Sequence, residues 1–273
     1  PDGMAPADFY KSAAFRDGRR RLAGFLEAVP TLPRALQARG YVSFQSGKWW
    51  QNHYSSGGFT HGMTQGDDGH GGRHGDAGLD IGRKTLQPIY DFLREAGERP
   101  WMVWYAPMMP HDPHTPPERL LAKYRNRTDS LPVARYWAMV EWFDETVGQL
   151  LAHLDERGLA DNTIVVYLAD NGWIQDPGAE RYAAKSKQSP YDGGLRTPIM
   201  VRWPPQVRPR KSASLAMSID LLPTLLTAVG QPSPGGLPGI NLLDDRALRG
   251  RKAIFGECFT HTAVDLERPS ANL

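Results

Sequence analysis

Four short stretches of this sequence carry residues suited to binding an anion, holding a metal or moving a proton. "SGKWWQNHYSSGGFTHG", residues 46–62, packs one lysine, two adjacent tryptophans, two histidines and four glycines into a polar run. That composition suits an anion pocket better than an ordinary surface loop. Lys48 is a compact point charge of the kind that meets a phosphate or sulfate oxygen. Lys187, in "SKQSPYDGG", has a similar setting of glycines and aromatics. A lone lysine is ordinarily a solvated surface group, so neither is diagnostic by itself. Arg196, in "GGLRTP", reads as a partner in a structural ion pair. "PHDPHTPP" fixes His111 and His114 on a proline-stiffened backbone that cannot be helical. Such an imidazole can act as a general acid near neutral pH, or both can be exposed loop histidines. Asp170-Asn171, in "LADNG", offers a carboxylate and an amide carbonyl, hard oxygen ligands that suit Ca²⁺ or Mg²⁺ better than zinc. The same tripeptide is also a common Asx turn.

The intervening elements decide whether these residues can meet. "TLPRALQARGYVSFQSGK" predicts a short helix stopped at Gly40, then a strand from Tyr41 to Phe44 that delivers Lys48 at its carboxyl end. Residues 55–82 hold ten glycines together with Asp67, Asp68, Asp76, Asp80, His70 and His74, and read as one long loop. A helix is predicted from about Thr85 to Ala96, and "WMVWYA" is a continuous apolar strand running into the proline segment. Tyr136, Met139, Val140, Phe143, Val147, Leu150, Leu151 and Leu154 recur at helical spacing, with Gly158 as the stop. Thr163–Ala169 and "RTPIMVRWP" are further apolar strands, and "KAIFGEC" is a last one. "SIDLLPTLLTAVG" is a helix with Ser218 as N-cap and Pro223 near its first turn.

Strands and helices alternate, and the strands are apolar without alternation. The pattern predicts an α/β fold, a mostly parallel sheet with helices on both faces. In such sheets ligands bind beyond the carboxyl ends of the strands. Lys48, the His111/His114 pair and Asp170-Asn171 each follow a strand, so all are expected at one edge.

Composition narrows the classes. At 273 residues the chain can bury a real core, and a net charge of +2 gives no reason to expect nucleic acid as a partner. The single cysteine, Cys258, excludes a disulfide within the chain and argues against a cysteine-based zinc site. No apolar run approaches membrane-spanning length.

In order, "TLPRALQARGY" with "GKWW", "GGFTHGM", "WYAPMMPHDPHTPPERLLAKY", "YWAMVEWFDETVGQLLAHLDERGLADNTIVVYLADNG", "KSKQSPYDGGLRTPIMVRWP" and "SIDLLPTLLTAVG" resemble the type I, formylglycine-dependent sulfatases of the alkaline-phosphatase superfamily. The resemblance runs from about residue 30 to the end. It implies hydrolysis of a sulfate ester, with Asp170 and Asn171 as the second pair of metal ligands, usually for Ca²⁺. It implies Lys48 and Lys187 as sulfate-binding lysines, His114 as the proton donor to the leaving alcohol, and His111 beside it at the substrate.

Two departures from the family pattern stand out. Trp50 occupies a position where many members have histidine, which makes His53, or else His61, a candidate replacement. The family's C-x-P-S-R nucleophile motif and its opening Asp-Asp pair do not occur, and Cys258 lies in no such motif. Residues 1–273 are therefore expected to be an internal piece of a sulfatase catalytic domain, inactive alone, with formylglycine and the first metal pair supplied by a preceding segment. The resemblance also implies a sulfated small molecule or polysaccharide as substrate and a periplasmic or secreted location. A phosphodiesterase or phosphonate hydrolase of the same superfamily, or a non-catalytic carbohydrate-binding relative, are the alternative readings.

Overall fold

The computed structural model describes residues 12–66, 68–70 and 76–256. The chain divides into two compact units, Pro1–His111 and Asp112–Leu273.

The first unit is built on three parallel strands, β1 (Val42–Gly47), β2 (His61–Gly62) and β3 (Trp101–Ala106), in the order β2-β1-β3. β1 pairs with β3 over its whole length, Phe44 opposite Val103, and with β2 through Phe44 and His61. All six residues of β1 are buried, as a central strand covered on both faces requires. Three helices accompany the sheet: α1 (Ala13–Glu27), α2 (Leu32–Gln37) and α3 (Gln87–Ala96). Ser12 caps α1 by accepting from Phe15 N, and Thr31 caps α2 by accepting from Arg34 N. α3 buries Ile89, Phe92 and Ala96 and stacks Phe92 on Phe44 at 5.1 Å between ring centres.

The glycine-rich stretch 55–82 is not one loop. It contains β2 and the 3₁₀ turns Tyr54–Gly57, Asp68–His70 and Ala77–Asp80. Asp76, 4 % exposed, organises it by accepting hydrogen bonds from the backbone N–H groups of Gln65, Gly66 and Gly78. Asp67 and His74 lie outside the described residues.

The second unit opens with α4 (Glu118–Tyr124), which the prolines before it obscure in the sequence, and α5 (Leu131–Glu156), the long periodic helix. Leu120 and Leu121 pack on Ala134 and Ala138, with Tyr124 and Trp142 against them. Arg119–Glu145 and Lys123–Glu141 ion pairs tie the outer faces. β4 (Val165–Leu168) and β5 (Ile199–Arg202) form a two-stranded sheet and run antiparallel, Val166 opposite Val201. The expectation of one continuous sheet edge is corrected accordingly: Lys48 and the histidine pair follow strands of the parallel sheet, whereas Asp170-Asn171 follows a strand of a separate one.

The helix at "SIDLLPTLLTAVG" starts differently from expectation. Ser218–Asp220 is a 3₁₀ turn leading into α6 (Leu221–Ala228), and the carboxylate of Asp220, not Ser218, accepts from Met217 N. Asp220 is fully buried and receives a two-pronged hydrogen bond from Arg251 at 2.6 and 2.8 Å, plus one from Ile240 N. A last helix, α7 (Asp245–Gly250), precedes Arg251. The expected strand "KAIFGEC" is absent from residues 252–256, which have no regular structure, and Cys258 lies outside the described residues.

Candidate active site

In the first unit the tip of β1 positions Lys48. Gly47 has φ +80°, and a Cβ there would meet Ala106 O at 2.0 Å. Only glycine permits that approach, and it lets Lys48 N donate to Ala106 O at 2.6 Å. The Lys48 Nζ lies over the Trp50 ring, 5.9 Å from its centre, within cation–π range. Trp49 turns the other way: its ring meets Phe59 at 5.4 Å and Trp104 at 6.3 Å, and its edge fills the space a Gly57 side chain would take. Trp49 is packing and Trp50 is the lysine's neighbour.

The two histidines that follow have local structural partners. His53 caps the turn Tyr54–Gly57, its Nδ1 accepting from Ser55 N at 3.2 Å, and its ring stands 4.2 Å from that of Tyr54. His61 sits between Phe92 and Glu95 of α3, with its ring centre 5.3 Å from Phe92 and Nε2 3.4 Å from the Glu95 carboxylate. The segment after β3 is fixed by a residue that sequence reasoning missed. Arg83 donates to Met108 O at 2.7 Å and to His111 O at 3.4 Å. Burial pushes this guanidinium below its usual pKa. Arg83 holds the backbone at His111, where the proline segment begins.

The second unit brings three of the sequence-derived candidates around one aromatic residue, Trp173. His114 is 3 % exposed, so the exposed-loop reading does not hold for it. Its ring lies 5.7 Å from Trp173 and 5.5 Å from Tyr136 of α5. Lys187 Nζ lies 5.5 Å over the Trp173 ring. Asp170 and Asn171 are three and two residues before Trp173 in the same strand-end segment. Tyr182 closes the cluster edge-on to Trp173 at 5.5 Å. Burial, reinforced by Tyr167, raises the Tyr136 hydroxyl above its ordinary pKa and keeps it protonated.

Backbone contacts lock this arrangement. Gly172 N donates to Gly194 O at 2.8 Å, and a Cβ on Gly172 would meet Gly193 O at 2.2 Å. Ile174 N donates to the buried Ser186 hydroxyl at 2.6 Å, and Ala183 N to Ile174 O at 2.8 Å. The "DNG" turn and the "SKQSPYDGG" segment are thus laced together, which places Lys187 on Trp173. Trp173 carried no signal of its own in the sequence, although its place directly after "DNG" could have drawn notice. Arg196, expected in an ion pair, has none among the described residues; its backbone N–H donates to Asp192 O.

The Asn171 amide nitrogen donates to Gly172 O at 2.9 Å, which leaves Oδ1 as the atom with ligand chemistry. With the Asp170 carboxylate this makes two hard oxygen donors, right in kind for Ca²⁺ but fewer than the six to eight such an ion takes. Among the described residues no group of three or more His, Cys, Asp or Glu is placed to hold a metal. No described helix is long and apolar enough to cross a membrane.

The sulfatase family model matches residues 7–231, and the chain belongs to the sulfatase family. It is 29% identical over 168 residues to an N-acetylgalactosamine-6-O-sulfatase of Bacteroides thetaiotaomicron, covering 57% of this chain and 32% of that protein. It is 26% identical to the human N-acetylgalactosamine-6-sulfatase, covering 84% of this chain and 50% of that one. The structure of BT4656 in complex with its substrate D-glucosamine-2-N,6-O-disulfate superimposes with a TM-score of 0.59 at 20% identity, over 82% of this chain and 65% of that one. That likeness establishes the fold, the alkaline-phosphatase-like α/β architecture. The matched regions span between about a third and a half of those two curated relatives' lengths.

Proposed function

We propose that this chain supplies the sulfate-holding and leaving-group portion of a sulfuric ester hydrolase acting on sulfated sugars. The observation that supports it most is the gathering of His114, Lys187 and Asp170-Asn171 around Trp173 in a family whose reaction needs those residue types. In this reading Lys48 and Lys187 neutralise the sulfate oxygens as charge builds on them, a preorganised electrostatic effect. The tryptophan face under each ammonium attracts its charge and holds the long side chain in place. His114 carries the proton that the departing alkoxide takes, and its tight aromatic packing fixes the ring's direction and keeps water from it. His111, three residues earlier in the chain on a backbone held by Arg83, is the proposed further contact to the substrate.

Asp170 and Asn171 would hold a Ca²⁺, with Mg²⁺ the alternative, and the bound ion supplies Lewis-acid charge at the sulfate. The nucleophile is a different matter. The 273 residues contain no C-x-P-S-R sequence, so no residue of this chain fits formylglycine. His53 is the proposed substitute for the histidine replaced by Trp50, a role it would combine with its capping bond to Ser55. The names of the relatives point to a sulfated amino sugar as substrate, and the same reading places the protein in the periplasm or outside the cell.

The test uses this chain joined to a segment bearing the C-x-P-S-R motif. Aryl sulfate turnover should exceed aryl phosphate turnover, and Lys48→Ala or Lys187→Ala should each reduce kcat/KM by about 10²–10³-fold. Preference for the phosphate, or lysine variants with full activity, would refute the proposal.

A further inference from the structure

The second unit carries a basic surface made of residues given no role in sulfate or metal handling above. The segments "RPRK" at 208–211 and "DRALRGRK" at 245–252 meet where Arg210 grips Asp245 with two hydrogen bonds, at 2.5 and 2.8 Å. Arg210, Lys211, Ser212, Ser214, Asp245, Leu248 and Arg249 line a cavity of about 120 Å³ there. Leu248 is buried, whereas Arg210, Lys211 and Arg249 are exposed. Arg208, Arg246 and Lys252, also exposed, flank these residues in sequence. Against six exposed basic side chains stand Asp244 and Asp245, a local surplus larger than the whole chain's net +2.

From this cavity and its charge we infer a binding site for the sulfate groups of a sulfated glycan chain. The inference rests on the sulfatase reading only for the choice of ligand. Asp245 uses its carboxylate to fix the Arg210 guanidinium, and Arg210, with Arg249 near it, holds the Asp245 pKa below the ordinary carboxylate value. The remaining guanidinium N–H groups are thereby held in one geometry, and a planar fork suits a tetrahedral oxyanion. Ser214 N donates to Ser212 Oγ at 3.2 Å, which leaves the Ser212 hydroxyl proton to donate. Lys211 and Arg249 supply net positive charge that Asp245 does not cancel. No aromatic side chain lines the cavity, so the stacking platform that single-stranded nucleic acid uses is missing from its lining. The lining holds no histidine, and a sulfate ester keeps its charge between pH 5 and 8, so binding should be independent of pH there.

The experiment titrates the purified 273-residue chain with chondroitin 6-sulfate oligosaccharides, with desulfated oligosaccharides of equal length, and with duplex DNA of matched charge. The sulfated glycan should bind best, with affinity that falls as salt rises. Lys211→Gln/Arg249→Gln, which leaves the Arg210–Asp245 pair intact, should weaken it at least tenfold without lowering Tm. Lys48→Ala/Lys187→Ala, which removes the sulfate-holding lysines of the proposed function, should keep the component of binding that Lys211 and Arg249 supply. Unchanged affinity in the Lys211/Arg249 variant, equal binding of desulfated glycan or DNA, or loss of binding only in the Lys48/Lys187 variant would each overturn the inference. Absence of sulfatase turnover in this chain joined to a C-x-P-S-R segment, with binding through Lys211 and Arg249 intact, would instead count against the proposed function alone.

Discussion

Lys48 and Lys187 share a setting that their sequence neighbourhoods only hinted at: each ammonium lies over a tryptophan ring, Trp50 for one and Trp173 for the other. The lysines and His114 were legible because "GKWW", "PHTPP" and "SKQSPYDGG" stand in family order. Trp173 and Arg83 were not, because a side chain that acts by packing or by gripping carbonyl groups has no spacing signature. At Gly47 the backbone sets a sharp requirement. Gly47→Ala places a methyl group 2.0 Å from Ala106 O at a φ of +80°, so it should destabilise the chain by about 3 kcal/mol or more, read as a lower midpoint in urea. A variant with unchanged midpoint would mean that the β1 tip can shift. Trp173→Leu removes the ring shared by His114 and Lys187; in this chain joined to a C-x-P-S-R segment, sulfate-ester turnover should fall about tenfold or more, with partial recovery in Trp173→Phe, because phenylalanine restores an aromatic face.

Among the elements, α5 was readable from its 3.6-residue period and β3 from its unbroken apolar run. Five features escaped. β2 is two residues long and lies among glycines, too short for any period. α4 follows directly on Pro116 and Pro117, which masked seven helical residues. β4 and β5 are apolar without alternation, a pattern that reads as parallel, yet they pair antiparallel. "KAIFGEC" looked like a strand because β-propensity ignores whether a partner strand is present. The start of α6 depends on a tertiary contact that no local pattern shows, the Asp220–Arg251 pair. Burial disfavours the Asp220 charge, but the guanidinium and the Met217 and Ile240 N–H groups outweigh it and hold the carboxyl below its usual pKa. A carboxylate depressed in the folded state adds stability above its unfolded pKa. That stability is lost as pH falls through the lower folded value. Thermal melts should therefore show a Tm that declines on acidification below about pH 4, more steeply than in Asp220→Asn. At neutral pH Asp220→Asn should cost about 3–5 kcal/mol, because it leaves Arg251 without its counter-charge.

At the scale of the molecule, membership of the sulfatase family rests on a match over residues 7–231, and the α/β class follows from the parallel sheet and its helices. On the proposed reading the chain supplies residues for gripping sulfate and for protonating an alcohol, but it contains no C-x-P-S-R sequence. The 273-residue chain alone should accordingly give no turnover of an aryl sulfate, and measurable turnover would show that another residue serves as nucleophile. The most direct test of the account asks whether His114 is the proton donor. In a protein joining this chain to a C-x-P-S-R segment, His114→Ala is compared on a sulfated sugar, whose alkoxide needs a proton to leave, and on p-nitrophenyl sulfate, whose phenolate does not. The account predicts a loss of about 10²–10⁴-fold in kcat on the sugar and less than about tenfold on the aryl sulfate. Equal losses on both substrates, or none on the sugar, would contradict it.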